Sequence, residues 1–325
     1  MDFMNLTVQN LTSPMVLFFV LGAAAALSRS DLAVPEAVAR LLSLYLLMAI
    51  GFKGGAEVAH SGLTAQVLGA LAGGIFLSAV TPIVAYAYLR TGTRLSPVDA
   101  ASVAGHYGSI SAVTFAAVTG VLNHMSVPYE GYMAAVAAAM ETPAIFTALA
   151  IAQRSGAIKA TEHGSGLMRE VALNGSIVML VGSFAIGAIT GARGLTMLKP
   201  FIVDPFAGFL CLFLLDMGLL AGRGLMQGWR ALSLPTIIFA VTMPLVGALM
   251  GSALAYLLGL SLGGAAVLIT LAASASYIAA PAAMRIALPE ANPAIALTLS
   301  LGVTFPFNLT VGIPLYLAAA SRITS

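Results

Sequence analysis

Two Ser-x-Ser pairs interrupt stretches that otherwise read as continuous apolar helix. Ser109 and Ser111 lie in "GHYGSISAVTF", and Ser274 and Ser276 lie in "TLAASASYIAAPAAM", where Tyr277 and Pro281 follow. Non-helical backbone at membrane depth persists only where it is buried in protein or lines a wet cavity. Half-helix amino termini made at such a break present N–H groups and the positive end of a dipole, which suits an anion. The carbonyls and hydroxyls freed on the other side suit a hard cation such as sodium. One isolated Ser-x-Ser is more often a packing feature, because small residues line close helix crossings. Finding the pair at the same position in two halves of a chain points instead to a binding site.

A second constellation surrounds "METPAIF" (140–146), where Glu141 is followed by Thr142 and Pro143 in the middle of an apolar run. A carboxylate there is costly unless a cation or polar groups pair with it, so cation coordination or protonation is expected. "VTFPFNL" (303–309) offers a hydroxyl at Thr304 and an amide at Asn308 beside Pro306, which frees a carbonyl. The expected anion site is therefore Ser109, Ser111, Ser274 and Ser276, with Tyr277 either lining the cavity or packing. The expected sodium ligands are Glu141, Thr142, Thr304 and Asn308. His106 either faces the same cavity or is a hydrogen-bonded helix histidine. Asp216 and Lys53 are read as interfacial, or as an ion pair between helices.

The rest of the chain must hold these residues in a bilayer. Of 325 residues, 60% are hydrophobic and 8% charged, with a mean hydropathy of +1.00, which specifies a polytopic membrane protein with no soluble domain left over. The net charge is +2 and the basic residues are scattered, which argues against nucleic-acid binding. The single cysteine, Cys211, rules out an internal disulfide and a cysteine-based metal site. No Gly-rich phosphate loop, His-Glu-x-x-His or Gly-x-Ser-x-Gly is present, and Asp216 has no second membrane aspartate for protease chemistry, so an enzyme is not expected. No cofactor is expected beyond a coupling ion. The amino terminus begins acidic and lacks the basic region and cleavage site of a signal peptide, so the first apolar run reads as a retained helix.

Hydropathy places ten spans, near 14–28, 34–50, 63–89, 97–121, 130–152, 171–191, 201–222, 231–259, 263–288 and 292–320. The polar stretch 153–170 separates a first five-helix repeat (1–152) from a second (171–325). The two halves align in three places, in the same order. Gly51 falls on Gly218 and Gly55 on Gly222; Ser109 falls on Ser274 and Ser111 on Ser276; Pro143 falls on Pro306. Five is odd, so the second half enters the membrane from the opposite side. The expected architecture is all-α, with ten transmembrane helices in two inverted-topology five-helix repeats and broken helices 4 and 9, as in secondary transporters. Ten basic residues then fall in cytoplasmic loops and four (Lys53, Arg193, Lys199 and Arg322) outside, which puts both termini outside and the linker in the cytoplasm.

The segment "SASYIAAPAAMRIALPEANPAIALTLSLGVTFPFNLTVGIPLY" (274–316) closely resembles the carboxy-terminal signature of the sodium-dependent bicarbonate permeases of the SbtA family. "LAVPEAVARLLSLYLLMAIGFKGG", "GSISAVTFAA" and "LLDMGLLAG" add to the resemblance, which spans essentially the whole chain. It implies a homotrimer in the bacterial plasma membrane and sodium-driven symport of bicarbonate by an elevator-like motion of a core against a scaffold. It further implies bicarbonate and sodium near Ser109, Ser111, Ser274 and Ser276, and a PII-like regulator of the SbtB type at the cytoplasmic face. Other expectations are a different small anion, proton coupling through Glu141, or a membrane receptor or scaffold that transports nothing.

Overall fold

A computed structural model describes residues 8, 11–62, 64–155, 175–228, 232–277, 280–281, 283–284 and 288–324. Most of the 153–170 linker lies outside the described residues. The described helices are α1 (Pro14–Leu27), α2 (Glu36–Ser61), α3 (Ala65–Gly92), α4 (Pro97–Gly108), α5 (Ala112–His124), α6 (Met133–Glu141) and α7 (Pro143–Arg154). They continue with α8 (Gly175–Ile202), α9 (Phe206–Gly228), α10 (Leu234–Leu258), α11 (Leu262–Ala272) and α12 (Pro293–Ile323). No strand occurs among the described residues.

Seven helical stretches are long and apolar enough to cross a membrane: α2, α3, α6 joined to α7, α8, α9, α10 and α12. The first span is the shorter apolar helix α1, and the fourth and ninth are divided as expected. Local chemistry sets these boundaries. The side chains of Ser13, Thr64, Ser96, Ser111 and Ser261 each accept a hydrogen bond from a backbone N–H in the first turn of the helix that follows. Proline at the first helical position of α1, α4 and α12 is pre-shaped for that role.

Two boundaries depart from the hydropathy reading. The second span runs on past 50 to Ser61, so Lys53 lies inside α2 and not in an outer loop. The sixth runs past 191 to Ile202, with a kink at Gly191, whose φ of 55° and ψ of −145° are open to glycine but strained for other residues. Hydropathy dips at "GFKGG" and "GARG"; helical hydrogen bonding carries through the first, whereas at the second the helix kinks at Gly191 before it resumes.

The outer helices pack as two crossed pairs. α2 lies along α8, and α1 lies along α9. Glycine makes both contacts possible: a Cβ at Gly51 or Gly55 would strike the Leu180 or Phe184 carbonyl, and one at Gly218 or Gly222 would strike the backbone of Phe19 or Ala23. The partner strips repeat the device, with Gly187 against Phe52 and Gly22 against Leu215. Close backbone approach of this kind is how membrane helices associate where lipid is as apolar as the side chains. The broken helices lie deepest. Every residue of α4 from Ala100 to Gly108 is buried, as is every residue of α11 from Gly263 to Ala272.

Candidate functional site

α4 and α11 each stop in the interior, and their ends meet. Ser109 and Ser111 have extended backbone (φ −85°, ψ 138° and φ −102°, ψ 112°), so residues 109–111 form a short non-helical bridge into α5. The ninth span opens in the same way at 273–277. The two bridges cross and hydrogen-bond. The Ser276 N–H donates to both the His106 carbonyl (2.7 Å) and the Ser109 carbonyl (3.0 Å). The Ser111 N–H donates to the Ser274 hydroxyl at 3.0 Å, and that hydroxyl donates to the Leu271 carbonyl at 2.8 Å. Backbone groups released by each break are thus met by the other, which is what buried non-helical backbone requires.

All four expected serines are therefore brought together, but they are not equivalent. Ser111 and Ser276 cap: Ser111 Oγ accepts from the Thr114 N–H at 3.1 Å, and Ser276 Oγ accepts from the Ala280 N–H at 3.2 Å. Ser274 bridges the two chains. Ser109 Oγ is buried and has no hydrogen-bond partner among the described residues. The Tyr277 hydroxyl is buried beside the Ser111 and Thr114 side chains and makes no close hydrogen bond among the described residues. Its ring packs edge-on against Phe305 at 5.3 Å, so Tyr277 serves both as packing and as a polar tip at the crossing. A buried polar atom left unmatched normally costs about 1–3 kcal/mol, so each such group calls for an explanation.

Glu141 ends α6 at a kink between α6 and α7 and is only 2% exposed. Its Oε2 has no hydrogen-bond partner among the described residues. Ser78 of α3 brackets it, donating to the Met140 carbonyl (2.6 Å) and accepting from the Ala144 N–H (3.2 Å). Gly108, the last residue of α4, lies against Ala144 and Pro82, which sets this kink beside the crossing. Thr142 is half-buried at the kink itself.

Thr304 and Asn308 are buried on α12, and their polar groups are already engaged. Thr304 donates to the Ala240 carbonyl at 2.6 Å, which leaves it to accept from the Tyr107 hydroxyl at 2.6 Å. Asn308 donates to the Ala273 carbonyl (2.8 Å) and accepts from the Tyr316 hydroxyl (2.7 Å). α12 departs from regular α-helix around both, with π-helical turns at Thr298–Thr304 and Asn308–Gly312. Such turns often mark functional sites.

Of the other residues singled out, His106 is a buried helix histidine bonded through Nδ1 to the Ser102 carbonyl (2.8 Å). Asp216 is 5% exposed within α9, while the Lys53 ammonium sits 5.7 Å from the centre of the Phe206 ring. No ion pair joins Lys53 to Asp216 among the described residues. Sequence reasoning passed over Ser78, Tyr107 and Tyr316. Their signal was faint, a lone hydroxyl in an apolar run, and only the partner across the fold gives each a role. No group of three or more His, Cys, Asp or Glu side chains gathers among the described residues, so the donors at hand are hydroxyls, carbonyls and one carboxylate, a set suited to an alkali cation.

Sequence comparison agrees with this chemistry. No curated protein matches the chain at a significant level. The profile described as the Na+-dependent bicarbonate transporter superfamily matches residues 14–321, which includes both breaks, the Glu141 kink and α12. A helical membrane protein whose two interrupted helices cross at buried, unmatched hydroxyls, and whose sequence fits that profile almost end to end, belongs to the Na+-dependent bicarbonate transporter superfamily.

Proposed function

We propose that the protein is a secondary active transporter in the bacterial plasma membrane that carries bicarbonate into the cell together with sodium. The observation that carries this reading is the crossing itself, where the buried Ser109 and Tyr277 hydroxyls await a partner beside the α5 amino terminus capped by Ser111. Bicarbonate is a small planar anion with one donor, so hydroxyls and helix-terminal N–H groups can hold it without a fixed positive charge. In this reading sodium binds nearby with Glu141 and Thr142 at the kink as ligands, and Thr304 and Asn308, whose hydroxyl and amide are already hydrogen-bonded, offer it only a remaining oxygen lone pair each. In a low-dielectric cavity each ion strengthens the binding of the other, which couples their movement.

The paired glycine contacts of α2 with α8 and of α1 with α9 support an inverted repeat of five spans each, 1–152 and 171–325, with both termini outside. These four helices form the scaffold. The remainder, built around α4, α5 and α11, moves as the elevator core. A homotrimer and a PII-like regulator at the cytoplasmic face complete the reading, and both rest on the family resemblance.

Uptake of radiolabelled bicarbonate into proteoliposomes, with sodium, bicarbonate and pH varied independently, tests it. Uptake that follows the inward sodium gradient is expected. Uptake indifferent to sodium but driven by a proton gradient would replace sodium with proton coupling through Glu141.

A further inference from the structure

A cavity of about 260 Å³, lined by both apolar and polar side chains, lies beyond the crossing along α5. That volume is many times the ~30 Å³ a water molecule occupies in the liquid. Phe115, Thr119 and Asn123 form one wall. With Ser111 they recur every fourth residue, so a single stripe of α5 leads from the crossing to this cavity. Lys53 and Glu57 of α2 stand opposite, and Tyr129 closes a third side. The cavity therefore lies between a scaffold helix and a core helix, where relative motion of the two would open or close it.

Lys53 gives the cavity its chemistry. It is half-buried, and an ammonium placed inside a membrane helix is costly without a function or a partner. The Phe206 ring, 5.7 Å away, holds it in position by a cation–π contact. Asn123 adds an amide for the remaining valences of an oxyanion, while Thr119, whose hydroxyl donates to the Phe115 and Ala116 carbonyls, shapes the wall beside Tyr129. Phe115 is 2% exposed and stands one turn from Ser111, between the cavity and the crossing.

We infer that this cavity is an entrance site for bicarbonate, in which Lys53 attracts the anion and Phe115 separates it from the crossing until the core moves. The inference rests on the crossing being the bicarbonate site. Attraction of this kind raises the local anion concentration and weakens with salt.

The test uses the full chain carrying Lys53→Cys with Cys211→Ser, so that residue 53 bears the only thiol. The same folded protein is labelled with aminoethyl methanethiosulfonate, which restores an ammonium, or with sulfonatoethyl methanethiosulfonate, which places a negative charge there. The ammonium adduct is expected to lower the bicarbonate half-saturation about tenfold relative to the sulfonate adduct, with maximal rates alike, an effect that shrinks at high ionic strength. Bicarbonate is also expected to slow the labelling itself, a readout that needs no transport. Equal half-saturation for the two adducts, a thiol that does not react, or labelling indifferent to bicarbonate would overturn the entrance site. Loss of sodium-driven uptake in the unsubstituted protein, with bicarbonate still protecting residue 53, would overturn the transport reading and leave this site standing.

Discussion

The Ser274 hydroxyl accepts a hydrogen bond from the Ser111 N–H at 3.0 Å and donates one to the Leu271 carbonyl at 2.8 Å, so a single side chain ties the two interrupted helices together. Ser109, its neighbour at the crossing, has a buried hydroxyl with no hydrogen-bond partner among the described residues. Two serines of the same motif type are therefore engaged differently: Ser274 braces the crossing, and Ser109 is the one proposed to bind.

Single substitutions separate those duties. Ser274→Ala strands the buried Ser111 N–H and is expected to cost about 1–3 kcal/mol of stability, seen as a lower melting temperature of the detergent-solubilised protein. Ser109→Ala removes no protein hydrogen bond made by the side chain, so the melting temperature holds while the bicarbonate half-saturation rises. Equal melting losses for both would place Ser109 among the structural residues.

For Glu141 the informative change is Glu141→Gln, which keeps the shape and removes the charge. A ligand that binds only the folded state raises the melting temperature by mass action. Sodium is expected to stabilise the unsubstituted protein and to lose most of that effect in Glu141→Gln, along with a raised sodium half-saturation for uptake. An unchanged half-saturation removes Glu141 from the cation site.

Carboxylates latch both broken helices to distant loops. Glu130 accepts the Ser261 N–H and hydroxyl, each at 2.9 Å, at the start of α11. Asp99 accepts the Asn292 N–H at 2.8 Å and the Ser96 hydroxyl at 2.6 Å at the start of α4. Each acts at a helix amino terminus, where a negative charge is stabilising. Glu130→Ala and Asp99→Ala are each expected to cost about 1 kcal/mol, read in thermal melts. Little change in either melt would show that water replaces the latch.

Glycine substitutions test the outer pairs. Gly55→Ala and Gly218→Ala place a Cβ on the Phe184 and Phe19 carbonyls, so each is expected to destabilise by about 1–3 kcal/mol or more. Gly182→Ala, on α8 with nothing within 4 Å of the added atom, serves as the control and is expected to be neutral or stabilising. A loss at Gly182 equal to that at Gly55 would mean that helix crossing is not what these glycines serve.

The helical membrane class and most spans were legible from hydropathy, because a bilayer demands long apolar runs and leaves no other way to satisfy the backbone. The Ser-x-Ser breaks were legible as well, since a repeat at matched positions is a pattern in one dimension. The helix end at "GFKGG" was misjudged, because a local dip in hydropathy says nothing about a hydrogen-bonding ladder that the packing of α2 on α8 maintains; "GARG" does mark a break, the kink at Gly191, past which a further helical stretch reaches Ile202. The sequence by itself determined which residue types gather: hydroxyls at both breaks, one carboxylate at a kink, small residues where helices cross. Which serine braces the crossing and which one keeps its hydroxyl unengaged among the described residues was decided only by tertiary structure. A hydroxyl's role depends on the group that faces it, and the partners of the Ser274, Thr304 and Ser78 hydroxyls lie 163, 197 and 62 residues away along the chain.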